Sequence, residues 1–174
     1  MLTSSLIKTG LLYILVFSCL SCLGPREYVS PSYFDLGRPV AKDIKLNINS
    51  IVQEGPYRSR MIIRTASGSV KLDEYQRWTQ SPDLMLTHYL KQSFKPGGEF
   101  NLEGEIISFE NDQAKGKAVF TFHYTINKMS NKVLTGSFIQ ERDCDESPEG
   151  FSKAMGQMAS ELAEELTKKL STLK

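Results

Sequence analysis

The sequence predicts an α+β fold, a two-layer α/β sandwich in which two amphipathic helices pack on one face of a mostly antiparallel or mixed sheet. Three observations carry that prediction. Several runs alternate apolar and polar residues with the period of a half-buried strand, most cleanly from Ala118 to Ile126. Two other segments repeat apolar residues every three or four positions, and a Ser-Pro pair precedes each. Strands gathered between helices, without strict alternation of the two, favour this class over a doubly wound parallel sheet.

The first 18 residues read as a signal peptide. Gly10 to Phe17, "GLLYILVF", is a short uncharged apolar run preceded by Lys8, too short to span a bilayer. Cys19 and Cys22 follow, each after a serine in "LVFSCLSC". The pattern is similar to a bacterial lipobox, whose cysteine is diacylated and becomes the new N-terminus; an ordinary cleaved signal is the alternative. Each site departs from the pattern: Cys19 has the bulky Phe17 two residues before it, and Cys22 has Cys19 where an aliphatic residue is usual. Cys19 is the preferred site and Cys22 the second. Removal of 18 residues from 174 leaves about 156, enough for one domain that buries roughly two-thirds of its unfolded surface.

Residues 19–32 form the lipidated region and a tether, since "LGPREYVSPSY" carries two prolines and no core-forming face. Residues 33–174 make a single domain. It opens with "YFDLG", Tyr33 to Gly37, a short strand closed by glycine. In "DIKLNINSIV", Ile44, Leu46, Ile48 and Val52 are expected on the inner face of a second strand. A hairpin follows around Ser67 and Gly68. Alternation puts Tyr57, Ser59, Met61, Ile63 and Thr65 on one side of it, with Arg58, Arg60, Ile62 and Arg64 on the other. The three arginines read as a solvated strand face or as a ligand patch. Ser81 is expected to cap the first helix, with Pro82 at its first position and Leu86, Leu90 and Phe94 on its apolar stripe. Strands are expected over Phe100 to Glu110, Gly116 to Lys128 and Lys132 to Arg142. A long C-terminal helix enters through Ser147 and Pro148 and buries Phe151, Met155, Met158, Leu162, Leu166, Leu170 and Leu173.

The chain is 40% hydrophobic and 24% charged with net charge +1, which argues against an electrostatic nucleic-acid binder. His88 and His123 are its two histidines, and neither is marked by a neighbouring nucleophile. "DCDE", Asp143 to Glu146, reads as an acidic turn rather than a metal site. No phosphate loop or dinucleotide glycine pattern occurs, so neither catalysis nor a cofactor is expected. Cys144 is expected to be a free, partly buried thiol, with a disulfide to Cys22 as the alternative.

The order "PY", "SRMIIR", a glycine turn, "VKLDEYQRW", then "SPDLML" resembles the ABC-type transport auxiliary lipoprotein family. Its members are outer-membrane lipoproteins that accompany lipid transporters built on MCE-domain proteins. There, a tyrosine-leucine strand opens the domain, an arginine-containing hairpin follows, and a "Y.RW..P" segment leads into the first helix. The matching positions are Tyr33, Leu36, Arg60, Arg64, Tyr75, Arg77, Trp78, Pro82 and Leu84, and the motif-level match runs from Pro56 to Leu90. The resemblance implies a periplasm-facing accessory subunit, membrane-bound through its N-terminal anchor, with MCE-type and ABC transporter subunits as partners and a homo-oligomeric ring as a further implication. Trp78 is expected to cover the strand-to-helix corner of the core. The alternative makes Tyr75, Arg77 and Trp78, with Arg58, Arg60 and Arg64, a partner-binding patch.

Overall fold

The structure is a computed structural model and describes residues 28–54, 58–129 and 131–173. Cys19, Cys22, Pro56 and Tyr57 lie outside the described residues. Met1–Ser30 and Pro31–Lys174 are separate units, and the second holds the fold.

Among the described residues seven strands form one mixed sheet: β1 (Ser32–Phe34), β2 (Asn47–Gln53), β3 (Arg60–Arg64), β4 (Val70–Trp78), β5 (Phe100–Asp112), β6 (Lys117–Lys128) and β7 (Asn131–Asp143). Two helices, α1 (Pro82–Ser93) and α2 (Pro148–Thr172), share one core with its inner face, so the predicted α+β class is the observed one. The order is β1-β4-β3-β5-β6-β7. Long β5 takes two parallel neighbours on one edge, β2 beside its first half and β3 at its end. The antiparallel meander β5-β6-β7 makes the other half.

The core follows the alternation of β6. Ala118, Phe120, Phe122, Tyr124 and Ile126 all point inward, against Phe151, Met155, Met158, Leu162 and Leu166 of α2. Glycines flank Tyr124 on both sides, Gly104 on β5 and Gly136 on β7. A Cβ at Gly104 would stand 2.2 Å from the Phe122 ring, and one at Gly136 2.5 Å from the Tyr124 ring. The aromatic rings therefore fill the space that side chains on the flanking strands would take. Tyr124 donates its hydroxyl proton to Glu165, and Lys169 donates to the Tyr124 oxygen, which fastens the last turns of α2 to the sheet.

β2 departs from the expected alternation. An irregularity between Ile48 and Ser50 shifts its register on β5, so Ile51 is buried and Val52 is exposed. One inserted residue reverses every later side chain of a strand. The Ser-Pro entries also differ from each other. The Ser147 hydroxyl accepts from Gly150 N at 3.0 Å, whereas Ser81 occupies the cap position of α1 without a side-chain cap bond. β1 begins at Ser32, one residue before the expected domain boundary.

Among the described residues β7 pairs on one side only, which leaves a long open edge. The register shift that sets Val133 between Lys132 and Leu134 puts a bulge near the start of that edge, and Lys132 and Glu141 charge it. Both devices discourage strand-to-strand aggregation. Cys144, just beyond β7, is half-buried and free among the described residues, and burial raises its thiol pKa.

Candidate functional site

The hairpin β3–β4 turns at Gly68, whose φ of +77° suits glycine. Beyond it the ladder breaks, because Arg60 pairs with Arg77 while Ile62 pairs with Leu72. Four residues of β4, Asp73 to Gln76, stand opposite Met61 alone, and the excess is folded out by Asp73, whose carboxylate accepts from Tyr75 N at 2.8 Å and Gln76 N at 2.9 Å. That local turn, built by a short acidic side chain on its own backbone, leaves Tyr75 exposed. The Arg77 Nε donates to the Glu74 carbonyl at 3.1 Å.

The expected alternation of the hairpin fails at this break. Met61 and Ile62 are both buried, so the arginines do not share one face with Ile62. Arg64 donates to both carboxylate oxygens of Glu110, at 2.7 and 2.9 Å, and thereby ties β3 to β5. It braces the sheet, and its side chain stays partly exposed. Arg58 and Arg60 are exposed, Arg58 in the turn before β3 with a φ of +42°.

Trp78 is likewise removed from the surface. It is fully buried, 5.3 Å from the Phe109 ring and 5.3 Å from the Phe151 ring, where β4 hands over to α1. A side chain with no exposed area cannot meet a partner, so its architectural role holds and its partner-binding role does not. Its indole N–H has no acceptor among the described residues, contrary to the expectation that a buried indole finds one.

What stands outside is a row across three strands. Parallel pairing of β1 with β4 sets Tyr33 beside Arg77, and antiparallel pairing sets Arg60 on Arg77's other side. Like charges directly opposite on a sheet repel. No carboxylate forms an ion pair with Arg58, Arg60 or Arg77 among the described residues. The row depends on the pairing of β1, 44 positions away from Arg77, and adjacency along the chain does not disclose it.

The helical layer carries the other concavities. After β1 the chain crosses between α1 and α2, with Leu36 packed on Gly156; a Cβ there would come within 2.5 Å of the Leu36 carbonyl oxygen. Ser152 donates to the Asp35 carbonyl at 2.7 Å. A hollow of about 460 Å³ opens on the α1 side, lined by Arg38, Gln80, His88 and Gln92, and one of about 560 Å³ on the α2 side, beside Val40, Lys153 and Gln157. Tyr89 borders both, its phenol pKa raised by burial.

The two histidines lie in different layers. His88 is on α1, while His123 on β6 is exposed on the outer sheet face. Cross-strand pairing places His123 between Ser137 and Glu105, residue types of a hydrolytic triad. No hydrogen bond joins the three side chains, and the strands' backbone groups there face each other in the ladder, so no free pair of N–H donors is aimed at an oxyanion. No group of three metal-ligating side chains occurs among the described residues.

Solved structures share this fold, two of them over most of its length. One, an uncharacterized protein, superposes with a TM-score of 0.69 at 13% identity, over 81% of this chain and 99% of its own. The other is a protein of Xanthomonas campestris carrying the family label DUF330, with a TM-score of 0.65 at 16% identity, over 79% of this chain and 92% of its own. At such identities the likeness is one of fold. Neither a protein-family model nor a curated protein matches this chain.

Proposed function

We propose that this chain is a non-catalytic accessory subunit of an MCE-type ABC transporter, lipid-anchored at the outer membrane facing the periplasm, and that it supports phospholipid traffic between the inner and outer membranes. The observation that carries the reading is the Tyr75-Gln76-Arg77-Trp78 segment that leads through Ser81-Pro82 into the first helix, with three residues between the tryptophan and the proline where the family pattern has two. Its residues divide by role: Trp78 and Pro82 are buried at the corner of the core, while Tyr75 and Arg77 stand at the surface beside Tyr33 and Arg60. The apolar leader, Ser18-Cys19 and Ser21-Cys22 supply the anchor. Two acyl chains hold a protein on a membrane stably, where one is marginal.

The test is genetic. Deletion of the gene should weaken the outer-membrane lipid barrier, and the full chain should restore it. A Cys19→Ala, Cys22→Ala double variant should leave the detergent phase and fail to restore the barrier. Full restoration by that variant would remove the anchor from the account. A deletion strain with an intact barrier and misassembled envelope proteins would favour an assembly adaptor instead.

A further inference from the structure

We propose that the row Tyr33–Arg77–Arg60, with Arg58 and Tyr75 at its margins, is the surface by which the domain lies on a bilayer, its guanidinium groups on the phosphates of anionic phospholipid headgroups. The proposal deepens the accessory-subunit reading and rests on it for the presence of a membrane at the N-terminus.

Three features of the row point to this occupant. The first is charge. Arg60 and Arg77 face each other across a ladder without a carboxylate paired to either among the described residues, Arg60 exposed and Arg77 half-buried, and Arg58 adds a second exposed guanidinium two residues before Arg60. Such an arrangement is self-repulsive until an anion arrives, and phosphate suits the planar fork of arginine. In a protein of net charge +1 this is a local excess of positive charge, not a property of the whole surface.

Position is the second. The chain that precedes the domain joins it at β1, so the 30 residues before Pro31 connect one strand position away from Tyr33. Between Cys19 or Cys22 and Ser32 the chain has about ten to thirteen residues, and it reaches at most about 3.3–3.6 Å per residue. An acylated N-terminus therefore holds this end of the sheet within about 45 Å of the bilayer. Juxtamembrane arginines act within a Debye length of about 8 Å at physiological salt, a separation the tether permits.

The third feature is aromatic. Tyr33 is 59% exposed and Tyr75 48% exposed, both next to the arginines. Tyrosines are enriched at the level of lipid headgroups, where an apolar ring and a polar hydroxyl are both accommodated. A contact with an acidic protein surface would use the arginines but does not call for placement at the tether's point of entry.

The experiment uses the full chain carrying Cys19→Ala and Cys22→Ala, so that acylation contributes nothing. It measures co-sedimentation with phosphatidylglycerol-containing vesicles and with pure phosphatidylcholine vesicles. The readout is the change in preference for the anionic vesicles between variants, since Lys8 and the N-terminal amine of the leader are the same in all of them. We expect a clear preference that declines as salt is raised, falls about tenfold or more in Arg60→Glu, Arg77→Glu, and largely persists in Arg60→Lys, Arg77→Lys. Unchanged thermal midpoints establish that the variants are folded. Equal binding to both vesicle types, or a preference that survives charge reversal, overturns the proposal. So does a charge-reversed chain that keeps the preference but no longer captures a transporter subunit, since the row would then be a protein contact. Capture of that subunit by the unaltered chain is a separate measurement, and the accessory-subunit reading stands or falls with it.

Discussion

Trp78 shows how far one residue's role was legible. A lone tryptophan before a Ser-Pro helix start belongs at a corner of the core, and it lies there, fully buried between Phe109 and Phe151. Trp78→Ala should therefore lower unfolding stability by about 3–5 kcal/mol, read by chemical denaturation, while Arg77→Ala should shift it far less. The fate of Arg64 was not legible in the same way, because its partner Glu110 lies 46 positions away and belongs to a strand that pairs with β3 only at its end. The row of Tyr33, Arg77 and Arg60 was hidden for the same reason: a three-residue parallel strand leaves no periodic signal of its neighbour. On the outer face, Ser137, His123 and Glu105 sit in one row without hydrogen bonds among their side chains. Ser137→Ala and His123→Ala should each leave stability within about 0.5 kcal/mol and should complement a deletion as well as the unaltered chain.

Elements with a strong period were read correctly, and those with a local irregularity were not. β6 keeps its apolar face from end to end, and α2 keeps its own as far as Leu170, while the expected Leu173 falls at the cap and is only partly buried. β2 and β4 do not, because a shifted residue in one and an aspartate-built turn in the other reset which side chains face the core. The small residues of the sheet carry a further consequence. Gly104 lies under the Phe122 ring and 2.8 Å, at an added Cβ, from the His123 carbonyl. Gly104→Ala should overpack this spot and destabilise by about 1–3 kcal/mol, measured from the denaturation midpoint.

The clasp between β6 and α2 is sensitive to alkali. Burial raises the Tyr124 pKa, and the bonds to Glu165 and then Tyr124 raise that of Lys169. Both folded values lie above the unfolded ones, so the stabilisation is fully present below about pH 10 and is lost as pH rises through the folded values. Tyr124→Phe should flatten the decline of stability between about pH 9 and 11.

At the scale of the whole molecule, one helical layer covers one face of the sheet, and among the described residues no element packs on the other. No helix among the described residues is long and apolar enough to cross a membrane. The cationic row lies at the strand where the tether enters, whereas the hollows beside Leu36 lie on the helical side. On the proposed reading, the chain holds its place through an acylated N-terminus and acts through what it binds. The most direct measurement is affinity capture of the full acylated chain from detergent-solubilised membranes, followed by mass spectrometry of what is retained. An MCE-type protein and its ABC permease should be enriched over a control lipoprotein. Retention of envelope-assembly proteins instead, with no transporter subunit above the control, would contradict the account.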